Sequence, residues 1–185
     1  MKKWMAIGLM AAASALAARA DTGWGLFGAY WDGGDWGSVS GVGAKFSLEL
    51  MPQAQLDLSV TRFNDFSRDE EGVDAEVTLL PIDLAFAVGY EVLPPLKLIG
   101  QAGASYYLAD SDIDGADGDD VGDEVGWFVG GGLEVTIARD VADYGGSRIA
   151  LMLDAIYRQV DAGRVGSLDL DLAGVTVNAG LMFRW

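Results

Sequence analysis

The sequence predicts an all-β fold, an eight-stranded antiparallel up-and-down transmembrane β-barrel preceded by a cleaved signal peptide. Three observations predict it. Apolar and polar residues alternate with period two in eight separate runs, and nothing between the runs repeats at the 3.6-residue spacing of a helix. The connections alternate in length: 51–53 and 93–95 are tight and carry Pro, whereas 67–74 and 110–124 are long and acidic. Aromatic residues gather toward the ends of the runs and leave Leu, Val, Ile, Ala and Gly in the middle, the sorting imposed by a bilayer, where amphipathic rings favour the headgroup boundary.

Residues 1–20 open with Lys2 and Lys3, continue with an apolar stretch and end on Ala18-Arg19-Ala20, the basic, hydrophobic and small-x-small order of a secretory signal. Cleavage is expected before Asp21, leaving one domain over 21–185. The remaining 9 basic and 28 acidic residues balance at −19, which excludes nucleic acid as a partner through charge. With no Cys there is neither a disulfide framework nor a thiolate metal site. With no His, the usual general base near neutral pH is absent, and an enzymatic reading fails.

The eight runs are 22–31, 38–50, 54–66, 75–92, 96–108, 125–139, 147–160 and 168–185, each long enough to cross a bilayer as a tilted strand. Their apolar face includes Val42, Leu58, Leu84, Leu98, Val129 and Leu151. Their polar face holds Lys45, Asp57, Asp83, Lys97, Glu134, Asp154, Arg158, Asn178 and Arg184. Alternation alone does not say which face is inside. A soluble ligand-binding barrel would turn the apolar set inward; a membrane barrel turns the polar set inward, and the aromatic sorting favours the membrane. Two breaks in phase, at Leu80-Pro81 and Ala173-Gly174, are expected to be β-bulges or strand tops beyond the membrane. Most strand glycines, among them Gly25, Gly28, Gly43, Gly103 and Gly132, are expected on the lumen side, where a narrow barrel has little room. Gly130-Gly131-Gly132 has no helix after it, so a phosphate-binding loop is excluded.

The chain ends on Asn178, Gly180, Phe183 and Trp185, spaced polar-x-Gly-x-x-aromatic-x-aromatic. This resembles the assembly signal of bacterial outer-membrane β-barrels. With the strand count, the alternation and the loop asymmetry, the mature chain resembles the small barrels of the OmpA-like and opacity-like porin class. The resemblance implies an outer-membrane location in a Gram-negative cell, both termini in the periplasm, long loops at the cell surface, contact with lipid and lipopolysaccharide, and delivery to the barrel-assembly machinery.

The lumen charges Lys45, Asp83, Lys97, Glu134, Asp154 and Arg158 have two readings. They line an ion path, or they pair across an interior that eight strands leave barely wider than side chains; the second is expected. Arg62 faces lipid by phase and, near a strand top, would snorkel to the headgroups. Asp110, Asp112 and Asp114 with Gly115 begin like a calcium loop, but Val121 stands where the bidentate Glu belongs and no helices flank it. What survives is collection of divalent cations by Asp110, Asp112, Asp114 and Asp117, against a plain solvated acidic loop. The functional expectation is a non-enzymatic, surface-exposed barrel with a closed interior; the alternatives are a narrow passive pore and a soluble periplasmic ligand-binding barrel. No cofactor is expected.

Overall fold

The computed structural model describes residues 22–34, 37–63, 66–70, 73–113, 124–141, 146–165, 168–171 and 173–185, with backbone alone for 66–70, 73–77, 109–113, 161–165 and 168–171. The strands are β1 (Thr22–Asp32), β2 (Ser38–Met51), β3 (Ala54–Phe63), β4 (Phe66–Glu70), β5 (Val73–Leu93), β6 (Leu96–Ile113), β7 (Glu124–Arg139), β8 (Arg148–Gln159), β9 (Asp161–Val165), β10 (Leu168–Asp171) and β11 (Gly174–Arg184). Neighbours in the sheet run β3-β2-β1-β11-β8-β7-β6-β5-β4, and a further β3–β5 pairing closes the ring. Eight staves result, because β4 continues the line of β3 along β5, while β9 and β10 form a separate hairpin beyond β8 and β11.

Closure satisfies backbone groups that a bilayer cannot. At the seam β1 pairs with β11 from Gly23 opposite Arg184 to Asp32 opposite Val175. Beyond that ladder Thr22 N donates to Trp185 O at 3.1 Å and Trp185 N donates to Thr22 O at 2.9 Å. A ring with no open edge is the only sheet that lipid tolerates. The purified protein should therefore migrate differently on detergent gels before and after boiling; identical migration would mean that the ring is not closed in detergent.

The polar face is inside. Asp83 and Arg158 are 3% and 1% exposed, whereas Leu26, Leu84 and Phe86 are 59%, 57% and 51% exposed. In water so much apolar surface would aggregate; around a bilayer-spanning barrel it is the lipid contact. This disposes of the soluble ligand-binding barrel. Outward aromatics sit near both ends: Tyr30, Tyr106, Trp127 and Tyr157 at one, Trp24, Tyr90 and Trp185 at the other. Trp24 and Trp185 flank Phe183 at ring separations of 6.4 and 5.6 Å.

Among the aromatics at the strand ends, Trp31, Phe63 and Tyr107 point inward and are almost wholly buried. Several local expectations need correction. Beside β6 no bulge lies at Leu80-Pro81, since β5 pairs with β6 without interruption from Ala75 to Glu91; on its other edge β5 passes from β4 to β3 here, from Val77 opposite Phe66 to Ile82 opposite Val60, with the register offset by one residue, and Leu79 faces an interior that is apolar at this level. Register shifts within the ring's ladders lie at the end that carries the termini, between Glu49 and Met51, Glu91 and Leu93, and Thr136 and Ala138, and one more lies in the β9–β10 hairpin, between Asp169 and Asp171. Gly28 faces outward and a Cβ there would meet nothing. Gly43 and Gly103 face inward, where a Cβ would collide with the rings of Phe27 and Phe128. The acidic connection expected at 67–74 is largely strand, since β4 pairs with β5 from Phe66 opposite Val77 to Glu70 opposite Val73. Backbone pairing in a hairpin is indifferent to acidic side chains.

Candidate functional site in the lumen

The interior is stacked in layers, with an aromatic layer farthest from the termini. Trp31 on β1 meets Phe63 on β3 edge-on at 5.2 Å and lies 6.2 Å from Tyr107 on β6, and Leu79 and Val160 are buried with them.

Below it lies a charged contact made by two parallel bonds. Arg158 on β8 reaches across the lumen to Asp83 on β5; Nη1 donates to Oδ1 and Nη2 to Oδ2, both at 2.8 Å. Ser105 donates to Asp83 Oδ1 at 2.6 Å and Ser59 to Oδ2 at 3.3 Å, while Arg158 Nε donates to Thr176 at 3.0 Å. A planar guanidinium matched to a carboxylate by two parallel bonds is the strong, directional form of an ion pair. The guanidinium carbon also lies 5.4 Å from the centre of the Phe128 ring and 5.9 Å from that of Trp31, tying this layer to the aromatic one.

The next layer is looser. Lys45 on β2 donates to Asp154 on β8 at 3.2 Å and lies 4.0 Å from Asp57 on β3. Asn178 donates to the other oxygen of Asp154 at 2.7 Å. In the layer nearest the termini, Arg184 on β11 donates from Nε to both oxygens of Glu134 on β7 at 2.9 and 3.1 Å and from Nη2 to Oε2 at 2.7 Å. Lys97 stands opposite Glu134 in the β6–β7 register, but its ammonium donates to Gln55 at 3.3 Å. Gln55 in turn donates to both oxygens of Asp57, at 2.9 and 3.1 Å.

All six lumen residues named from the sequence therefore point inward. Arg184, Asp57 and Gln55 complete the network, and the sequence did not single them out as site residues although the alternation put Asp57 and Arg184 on the polar face. Lys45, Lys97, Arg158 and Arg184 balance Asp57, Asp83, Glu134 and Asp154, so the ladder is formally neutral. It also leaves little space. Between the two lower layers a chamber of about 20 Å³ remains, bordered by Lys45, Ser47, Asp57, Glu134, Asp154 and Arg184, which is room for about one water. Ser47 Oγ is buried there with no partner among the described residues. At the terminal end the lumen opens into a vestibule of about 700 Å³.

Among the described residues no cluster of three or more carboxylates could hold a metal. Asp114 and Asp117 lie outside the described residues. Asp110 and Asp112 are paired in strand β6 opposite Thr78 and Glu76, with their side chains outside the description. In the C-terminal stretch Asn178 is committed to the ladder, Gly180 lies where a Cβ would strike Phe27, and Phe183 and Trp185 form the aromatic rim.

The family model of the outer membrane protein beta-barrel domain matches residues 4–183. Among solved structures, OprG from Pseudomonas aeruginosa is similar at 13% identity, with 90% of this chain and 96% of that chain covered and a TM-score of 0.62. Neisserial surface protein A is similar at 14% identity, with 89% and 94% covered and a TM-score of 0.56. At such identities the likeness is one of fold. No curated protein sequence matches. The inward charge ladder, the outward apolar band and the match along almost the whole length agree: the chain belongs to the outer membrane protein beta-barrel domain family, and is an integral barrel of the outer membrane.

Proposed function

We propose that this protein serves as a structural, surface-exposed barrel with a closed interior. The observation that supports this best is the Asp83–Arg158 clasp under its aromatic layer, in a neutral ladder that leaves space for about one water. An uncompensated charge in so narrow a lumen is expensive, so paired charges hold one another in place and stand in the way of ions. On this reading 1–20 is a signal removed on export, the end carrying Thr22 and Trp185 faces the periplasm, and the acidic connections face outward. Asn178, Gly180, Phe183 and Trp185 serve as the signal read by the assembly machinery. Asp110, Asp112, Asp114 and Asp117 meet lipopolysaccharide through shared divalent cations, because two anionic surfaces approach only with cations between them.

Planar-bilayer recording tests the closed interior. The wild type should show no steady conductance, and Lys45→Gln with Arg158→Gln should raise cation conductance by leaving Asp83 and Asp154 without their partners. A steady, sizeable wild-type conductance would replace this reading with the narrow pore, which the open vestibule favours.

A further inference from the structure

One corner of the chamber between the two lower layers gathers polar groups that do not reach one another. Ser47 on β2 is 0% exposed, and its hydroxyl has no partner among the described residues. Asp57 on β3 stands directly opposite Ser47 in the register, and Lys45 lies two residues earlier on β2, so all three side chains project to the lumen side of the same wall. The Lys45 ammonium donates to Asp154 at 3.2 Å but lies 4.0 Å from Asp57 Oδ2, too far for a hydrogen bond. Among the described residues Asp57 accepts from Gln55 alone. Two polar atoms separated by such a gap can each lie at about 2.8 Å from one water oxygen between them.

Charge decides what the chamber can hold. In the two layers that border it, Lys45, Lys97 and Arg184 balance Asp57, Glu134 and Asp154, so a bound ion of either sign would be uncompensated and costly to bury. A neutral occupant that both donates and accepts fits. The volume of about 20 Å³ admits one water and nothing larger. Glu134 and Arg184 also border the chamber but are committed to each other. Ile99, Met152 and Met182 make up much of the remaining lining and are apolar, so the corner made by β2 and β3 is where a water is held.

We propose that this corner is a binding site for one ordered water, which is part of the fold. Its oxygen accepts from Lys45 Nζ and Ser47 Oγ, and one of its hydrogens is donated to Asp57; three hydrogen bonds are the usual complement of a buried water. The water gives the Ser47 hydroxyl an acceptor, spans the gap between Lys45 and Asp57, and ties Asp57 to the ladder by a path other than Gln55. The inference rests on the closed interior proposed above, because an open lumen would exchange the water too fast for it to be ordered.

The test compares Ser47→Val and Ser47→Ala with the wild type by denaturant titration in lipid vesicles. Valine takes the place of the water and leaves Lys45 and Asp57 unbridged, so its unfolding midpoint should fall. Alanine leaves room for the water but removes one of its partners, so its midpoint should fall less. In a dry chamber the signs reverse, because either substitution removes a buried hydroxyl without a partner and valine also fills space. An alanine midpoint at or above that of the wild type therefore overturns the proposal, including where valine falls through crowding or does not refold. Oxygen-17 relaxation dispersion of the solvent, recorded in detergent micelles, reads the water itself: the long-lived signal of the wild type should drop by about one molecule in Ser47→Val, and an unchanged signal overturns the site. Conductance tells the two failures apart. A missing water signal in a barrel that does not conduct overturns this site alone, whereas a steady conductance overturns the closed interior and the site with it.

Discussion

Arg158→Leu should lower the stability of the barrel by about 3–5 kcal/mol, the cost of removing one partner from a buried ion pair. Asp83, 3% exposed, would keep only the hydroxyls of Ser59 and Ser105, and two neutral donors do not replace a bidentate cation. Thr176 would lose the Nε donor, and the Phe128 and Trp31 rings would lose the cation between them. The double variant Arg158→Leu, Asp83→Leu separates pairing from packing. Exchanging a whole buried pair for apolar groups of similar volume is often neutral or stabilising, so the double should recover most of the loss. Denaturant titration of protein refolded into lipid vesicles gives both numbers. A single variant within about 1 kcal/mol of wild type would mean that water reaches Asp83 and that the clasp is not sealed.

The second large effect lies on the opposite face. Leu153, halfway along β8, is 45% exposed and stands between Leu133 and Ala179 on the neighbouring strands. Leu153→Arg should cost about 2–4 kcal/mol, because a guanidinium at the bilayer midplane must drag water or headgroups toward itself. Val125, equally outward but near the start of β7, should tolerate Arg at about 0–1 kcal/mol, since there the side chain reaches the interface. The same vesicle titration compares them. Equal costs at the two positions would show that depth does not matter and that this face does not meet hydrocarbon.

How much of this was legible in the sequence depended on contrast. Where one face is apolar and the other charged, as along Lys45, Ser47 and Glu49 against Ala44, Phe46 and Leu48, period two fixes the inward set. Where both faces are apolar the signal vanishes. Leu79 lies inside a level of the lumen filled with Trp31, Phe63 and Tyr107, so its alternation with Leu80 carries no information and the strand reads as out of step. Partners were less legible than faces. Glu134 stands opposite Lys97 in the register yet binds Arg184, a strand pair farther around the ring, because side-chain length and the stagger of closure decide who meets whom across a lumen. Neither quantity is written in the spacing of residues along one strand.

The seam between β1 and β11 also sets how the barrel responds to force. Thr22 and Trp185 lie side by side at one rim, on adjacent antiparallel strands, so a pull applied to the two ends loads the hydrogen bonds at that rim first, one pair after another, as in opening a zipper. The same ladder pulled from opposite rims would be loaded in shear, with all its bonds sharing the tension. Extraction from the terminal side therefore meets a sequence of small yields, each freeing the next stretch of strand, and the layered charges release in the order Arg184, Lys45, Arg158 as the opening travels up the wall.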